Sequence, residues 1–313
     1  MKPPPPLTKP APVWALLVVL LFFSLQAEAV PLTLQEVAHG VYVHQGANED
    51  FDGNYHGDIA NIGFIVGRDA VAVIDTGGSY RVGLRLKEAI RQVTQLPILY
   101  VINTHVHPDH MFGNAAFSVE HSIFIGHEKL PGAMEQRQAD YLRNLKNVLG
   151  SEAEKSEIII PSKTVGSTLR IDLGNRVLQL TAWPTAHTNT DLTLFDINTK
   201  TLWTGDLLFI ERTPSIDGDV QGWINVIGKL EEIEADLTIP GHGKVTRDKK
   251  GALDDERRYL DRLLQDVRSS IRNGEGMTRT MGSAAMSERT RWLLFDQVNP
   301  RNVNFIYPPL EWE

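Results

Sequence analysis

Residues 104–110 read Thr104-His105-Val106-His107-Pro108-Asp109-His110, placing three histidines and an aspartate in one short stretch. The apolar run before it, Ile98-Leu99-Tyr100-Val101-Ile102-Asn103, has the length and make-up of a buried strand. A strand feeding a short polar loop gives the side chains a rigid base on which four metal-binding groups can converge. Neutral imidazole and carboxylate suit zinc and its first-row neighbours. Pro108 stiffens the loop, and Gly113 lets backbone pass close behind it.

Working outward, three further sites each lie where a strand meets a loop. Val177–Ala182 leads through Trp183-Pro184 to Ala186-His187-Thr188, Thr201-Leu202-Trp203 leads to Thr204-Gly205-Asp206, and Leu237-Thr238-Ile239-Pro240 leads to Gly241-His242-Gly243. One metal-binding side chain per loop is what a shared site at one edge of a sheet sandwich requires. Taken singly, His187 reads equally as a satisfied core histidine, Asp206 as a helix cap and His242 as a turn residue.

The rest of the chain reads as two consecutive batches of strands and helices. Gly40–His44, Ile62–Val66 and Ala70–Asp75 read as strands, the last ending in the turn Asp75-Thr76-Gly77-Gly78. An amphipathic helix is expected over Arg81–Thr94 and a second over Ala133–Leu149. The second batch holds strands at Thr168–Ile171, Arg176–Ala182, Leu192–Asp196 and Thr201–Thr204. Helices are then expected over Val220–Ile233, Gly251–Asn273 and, as a short last element, Ser287–Asp296. Two such batches predict two packed sheets with helices on the outer faces, in one domain.

The 313 residues are 42% hydrophobic and 22% charged, an ordinary globular composition. A net charge of −8 offers no basic surface for a nucleic-acid backbone. Cysteine is absent, which excludes disulfides, thiolate ligands and a cysteine nucleophile together. Residues 1–29 read as a secretory signal: Lys2 and Lys9 among prolines, the apolar run Val13–Phe23, then Ala27-Glu28-Ala29 before the cleavage point. The competing reading is an uncleaved anchor, for which the apolar run falls short of the roughly 20 residues a bilayer demands. The mature domain is then 30–313, with a C-terminal helical extension, in the periplasm or secreted.

The motif His105-Val106-His107-Pro108-Asp109-His110, followed by His187, Asp206 and His242 and preceded by Asp75-Thr76-Gly77, resembles the metallo-β-lactamase superfamily of binuclear hydrolases over about residues 40–245. The resemblance implies an α+β fold, a four-layer αββα sandwich with two Zn2+ at the open edge between the sheets. It further implies that His105, His107 and His187 hold the first zinc, that Asp109, His110 and His242 hold the second, and that Asp206 bridges them. Water between two zincs loses a proton near neutral pH, so the implied nucleophile is a bridging hydroxide, with Asp109 orienting it or returning a proton.

Gly57-Asp58-Ile59-Ala60-Asn61-Ile62-Gly63-Phe64, with Pro300-Arg301-Asn302-Val303-Asn304 and Tyr307, is similar to a narrower subgroup, the quinoprotein relay system zinc metallohydrolases related to the SoxH proteins. That likeness implies export and service beside a periplasmic quinoprotein dehydrogenase.

Within the superfamily, an aspartate at the Asp206 place points away from dedicated β-lactam hydrolases. It points toward hydrolysis of a small ester, thioester, lactone or related substrate. Alternatives are a mononuclear Fe2+ dioxygenase acting on persulfides, a β-lactamase-like amide hydrolase, and a binding accessory that keeps the site without turnover. Asp75 reads as support for a ligand or as a turn cap, and Asp191 is similarly open. Ala47–Asp58 suits a loop over the site mouth. His56 there reads as solvent-exposed or substrate-facing, and His39, His44, His121 and His127 read as structural.

Overall fold

A computed structural model describes residues 1–3, 31–51 and 55–313, so nearly all of the expected signal segment lies outside the described residues. Among the described residues, the first sheet holds β1 (Gln35–Ala38), β2 (Val41–His44), β3 (Ile62–Val66), β4 (Val71–Ile74), β5 (Ile98–Ile102), β6 (Ile123–His127) and β7 (Lys163–Val165). These strands lie side by side in chain order. Antiparallel pairing from β1 to β4 gives way to parallel pairing from β4 to β7.

The second sheet holds β8 (Thr168–Asp172), β9 (Val177–Ala182), β10 (Leu192–Asp196), β11 (Thr201–Phe209) and β12 (Leu237–His242), again in sequence order across the sheet. Here β8 to β11 are antiparallel and β11 pairs parallel with β12. The helices are α1 (Tyr80–Val93), α2 (Pro108–Met111), α3 (Leu130–Leu149), α4 (Val220–Glu231), α5 (Lys249–Arg272), α6 (Met277–Met281) and α7 (Phe295–Glu311). No helix among the described residues is long and apolar enough to cross a membrane.

Strand alternation explains the layering. On β4, Ala72 and Ile74 face the sandwich interior, where they join Leu178, Leu180, Leu194 and Trp203 from the second sheet. Val71 and Val73 point the other way and pack under Val82, Leu86 and Ile90 of α1. On the opposite flank, α4 and α5 lay Trp223, Ile227, Leu260 and Leu263 over Leu207 and Phe209 of β11. The result is helix, sheet, sheet, helix, with central strands such as β4 and β11 buried on both faces.

The sequence reading needs three corrections. First, β11 does not stop at Thr204. It runs on to Phe209 with every residue buried, and its pairing with β12 slips on both sides of Gly205, so Asp206 sits in a bulged strand rather than in a loop. Second, Asp109 and His110 lie on the helical turn α2, with Pro108 in its first turn, where a missing N–H costs nothing. Third, the short last helix expected over Ser287–Asp296 is absent. That stretch is mostly irregular, with a 3-10 turn at Met286–Glu288, and α7 follows despite containing Pro300, Pro308 and Pro309. An interior proline costs on the order of 3 kcal/mol in a helix. Burial of Phe295, Val303, Ile306 and Tyr307 against the α5 layer offsets it.

Candidate metal centre

Strand ends supply the site. Asp75 follows β4, the His105–His110 segment follows β5, His187 follows β9, Asp206 lies in β11, and His242 closes β12. All seven expected ligand side chains converge. His105, His107, His187 and Asp206 form one group and Asp109, His110 and His242 another, each group with its donor atoms within 4.8 Å of one another.

Asp206 stands between the groups. Its Oδ2 lies 3.6 Å from His105 Nε2, 3.3 Å from His187 Nε2 and 3.3 Å from His242 Nε2, while Oδ1 is 3.1 Å from His110 Nε2. Gly241 permits this approach, since a Cβ there would lie 1.9 Å from Asp206 Oδ1. Gly113 does the corresponding service behind the histidine loop, where a Cβ would meet the Thr76 carbonyl oxygen at 2.0 Å.

The outer nitrogens decide which ring atom faces inward. His110 Nδ1 is 2.8 Å from Asp75 Oδ2, His187 Nδ1 is 2.7 Å from the Ser215 carbonyl, and His242 Nδ1 is 2.8 Å from the Ile59 carbonyl. Those acceptors place the proton on Nδ1 and leave the Nε2 lone pair for a cation. His105 Nδ1 meets Thr104 Oγ1 at 3.0 Å, and that hydroxyl donates to Asp75 Oδ2 at 2.7 Å. His107 is turned the other way: Nε2 is 3.1 Å from Asp217 Oδ2, which Arg137 pairs at 3.1 Å, so its free atom is Nδ1.

Asp75 is thus more than a turn cap. It also accepts from the Thr104 backbone N–H at 2.8 Å and so braces a histidine of each group, in a left-handed conformation with φ 52°.

The donor set fits metal. His105 Nε2, His110 Nε2 and Asp206 Oδ1 are buried with no hydrogen-bond partner, as atoms reserved for a cation would be. Burial, then repulsion from His110, holds His105 far below the usual histidine range, and burial takes His187 down to about 3. Both are neutral imidazoles, the ligand form. Burial works in the same direction on His110, but Asp206, Asp109 and Asp75 overcome it and raise that ring well above its ordinary value. The carboxylates therefore demand positive charge at the centre of the second group.

The sequence assigns Asn61 and Asn302 no role at the site and leaves that of Asp191 open. Asn61 donates to the carbonyls of Pro240 at 2.9 Å and Gly243 at 2.8 Å, fixing the backbone around His242. Asn302 donates to the Pro214 carbonyl at 2.7 Å and accepts from Ile216 N at 3.0 Å, fixing the segment whose Ser215 carbonyl holds His187. Both belong to the softer motifs at 57–64 and 300–307, whose part in the site could be read only once the fold was known. Asp191 accepts from Thr188 N and Oγ1, closing the turn after His187, and burial pushes its carboxyl up to about 8. His39, His44, His56, His121 and His127 stand outside both groups. His56 is solvent-exposed.

A cavity of about 300 Å³ opens above the cluster, with His107, Asp109, Asp206 and His242 in its floor and Phe51, Tyr141, Arg212 and Arg301 in its walls. Burial pushes the Tyr141 phenol up to about 12, so it remains a hydrogen-bond donor there.

The family model of the metallo-beta-lactamase superfamily matches residues 56–242. Among solved structures, a metallo-beta-lactamase from Pontibacter korlensis superposes with a TM-score of 0.57 at 17% identity, covering 74% of this chain and 99% of its own. The DIM-1 metallo-beta-lactamase gives 0.58 at 15% identity, covering 74% and 97%. VMB-1 gives 0.58 at 18% identity, covering 74% and 96%. At such identities the superpositions speak for the fold, and the family model carries the membership. With the sandwich, the histidine turn and the matched span in agreement, the chain belongs to the metallo-beta-lactamase superfamily.

Proposed function

We propose that this protein is an exported metal-dependent hydrolase working with two zinc ions on a small ester, thioester or lactone. The observation that carries the reading is the convergence of seven donor side chains into two adjoining groups, with the outer ring nitrogen of every histidine tied by the chain itself. His105, His107 and His187 would hold one zinc, Asp109, His110 and His242 the other, and Asp206 would join them. When bound, such a pair polarises a carbonyl and makes a neighbouring water acidic near neutral pH.

The chain's own contribution is positioning. Asp109 faces the cavity and touches His242 Nε2 at 3.3 Å, so one carboxylate oxygen stays with the cluster while the group orients water or passes a proton to the leaving atom. Tyr141 offers a hydroxyl donor to the substrate, and the apolar face of Phe51 excludes water from one wall. A complete second group supports two metals over a single iron. The aspartate at position 206 supports ester-type over β-lactam substrates.

Residues 1–29 as an export signal, and the likeness of 57–64 and 300–307 to the quinoprotein relay subgroup, support a periplasmic setting beside a quinoprotein dehydrogenase. Element analysis of protein recovered from the periplasm, with a panel of esters, thioesters and lactones, tests the reading. Two zinc per chain with turnover of one class is expected. One iron per chain with oxygen consumption would replace the reading by the dioxygenase.

A further inference from the structure

Past Asp206, β11 parts from its neighbours. β10 pairs with it only over Thr201–Trp203, and the register with β12 slips between Gly205 and Phe209. On one side Ile210 N recovers a partner, donating to the His242 carbonyl at 3.0 Å. On the other side the N–H of Phe209 has no strand to meet, and a buried N–H without an acceptor is costly. Glu256 of α5 supplies the acceptor, with its Oε1 2.8 Å from Phe209 N. That glutamate is fully buried, its Oε2 has no hydrogen-bond partner, and burial pushes its carboxyl well above the usual carboxylate range. A buried carboxyl with one idle oxygen is an expensive way to close a strand. What it secures is the place of the Phe209 ring.

That ring touches both halves of the metal centre. It stacks on His242 with centroids 5.0 Å apart and planes 16° from parallel, and it meets His187 at 5.6 Å in a tilted contact. Trp223 meets His187 edge-on at 5.1 Å and Phe209 at 6.0 Å. His187 belongs to the first group of donors and His242 to the second. Each of these rings sends its Nδ1 proton to a backbone carbonyl, which fixes one atom of the imidazole. A flat apolar neighbour against the ring fixes its plane as well. Both Nε2 atoms then lie 3.3 Å from the same oxygen, Asp206 Oδ2.

We propose that Phe209, held in place by Glu256, is a positioning residue shared by the two metal groups, setting the ring planes of His187 and His242 so that both Nε2 atoms point into the centre. The inference rests on reading the two groups as metal sites, and goes beyond it by naming what keeps one ligand of each in aim. A favourable aromatic contact corresponds to about threefold to tenfold in an equilibrium constant. Rings freed of it must be reordered when metal binds, so the loss appears as weaker binding.

Two measurements on the full chain test this. Zinc added in competition with a chelator reads metal affinity, and nitrogen-15 NMR of the metal-free protein reads exchange of the His187 and His242 Nδ1 protons with solvent. Phe209→Leu keeps apolar bulk but loses the flat face. It should weaken zinc binding about threefold to tenfold and speed proton exchange at both histidines. Leu263→Val, a loss of packing in the same core that touches neither ring, should lower thermal stability and leave zinc affinity and both protons unchanged. Glu256→Leu should reproduce the Phe209→Leu result with the ring still present, whereas Glu256→Gln, which keeps the acceptor, should behave as wild type. Should Phe209→Leu fail to fold, the two Glu256 variants carry the same test.

Wild-type zinc affinity in Phe209→Leu or in Glu256→Leu overturns the proposal. So does faster exchange at only one of the two histidines, a loss of zinc affinity in Leu263→Val equal to that in Phe209→Leu, or damage from Glu256→Gln as great as from Glu256→Leu. Each of those results leaves the hydrolase reading intact. Neither measurement needs turnover, so a chain that meets every expectation but hydrolyses no ester, thioester or lactone refutes the hydrolase reading and leaves the role of Phe209 standing.

Discussion

Replacing Asp75 with asparagine changes one atom and should disable much of the site. The carboxylate accepts three hydrogen bonds at once, from Thr104 N at 2.8 Å, Thr104 Oγ1 at 2.7 Å and His110 Nδ1 at 2.8 Å. Asparagine tolerates the left-handed φ of 52°, so backbone strain does not confuse the comparison. Its amide oxygen can keep the Thr104 N–H, but the NH2 group then faces a hydroxyl and an imidazole N–H that both need an acceptor. His110 can adapt only by moving its proton to Nε2, which removes the lone pair aimed into the site.

Hydrogen bonds to a charged group contribute about 1.5–3 kcal/mol each. Two are lost and one is partly regained when Thr104 accepts from the amide, so the metal-free protein should lose about 2–4 kcal/mol. Loss of an outer-shell partner of a metal-ligating histidine costs about 10–100-fold in metal affinity. The group containing His110 should weaken first, and the His105 group less, through Thr104. Zinc added in competition with a chelator reads the affinity of each group, and thermal unfolding of the metal-free chain reads the stability. Wild-type affinity at both groups in Asp75→Asn would show that the acceptor does not set the His110 tautomer, and the bracing argument would fail.

Three other outcomes follow from the same geometry. His187→Ala should lose metal from the first group, whereas His121→Ala, an exposed residue at the end of a 3-10 turn, should keep wild-type metal content; similar metal content in the two would refute the ligand assignment. Asp206→Asn preserves shape beside Gly241 but removes the charge shared by the two groups, so turnover should fall about a hundredfold or more while circular dichroism stays unchanged. His44 is partly buried, which lowers its pKa, but the Asp58 carboxylate at 2.7 Å outweighs burial and the folded pKa is raised. This contribution is fully present below the unfolded value near 6.5 and is lost as pH rises through the higher folded value, so His44→Gln should flatten the urea-measured stability over that window.

How much of this was legible depended on where each element sits. Strands such as β4, apolar on both faces, announce themselves, and so does α1 with its single buried stripe. The first strand β1 is polar and half exposed, and β7 has only three residues, so neither carries a two-faced apolar signature. The passage through Gly205 and Asp206 looked like a loop because a glycine and a carboxylate are poor strand formers. Burial between neighbouring elements, together with a kink at φ 53° on Gly205, overrode that preference. In α7 the three prolines hid a helix that tertiary packing sustains.

At the site the division is sharper. Side chains that donate directly to the centre were readable because histidine and aspartate at such spacings are chemically distinctive. Of the atoms that aim them, only the Asp75 carboxylate, which holds His110 and braces His105 through Thr104, was open to reading. Two of the five histidines are oriented by the carbonyls of Ser215 and Ile59, and any residue supplies a carbonyl. What the sequence does specify is the pair of asparagines that fix backbone on either side of the cluster, Asn61 around His242 and Asn302 around Ser215. An asparagine amide satisfies a carbonyl and an N–H together, which alanine or leucine cannot do. The distant segments 57–64 and 300–307 therefore belong to the metal centre mechanically, although neither contributes a ligand. A change at Asn302 should loosen His187 through Pro214 and Ile216, without any contact between the asparagine and the histidine itself.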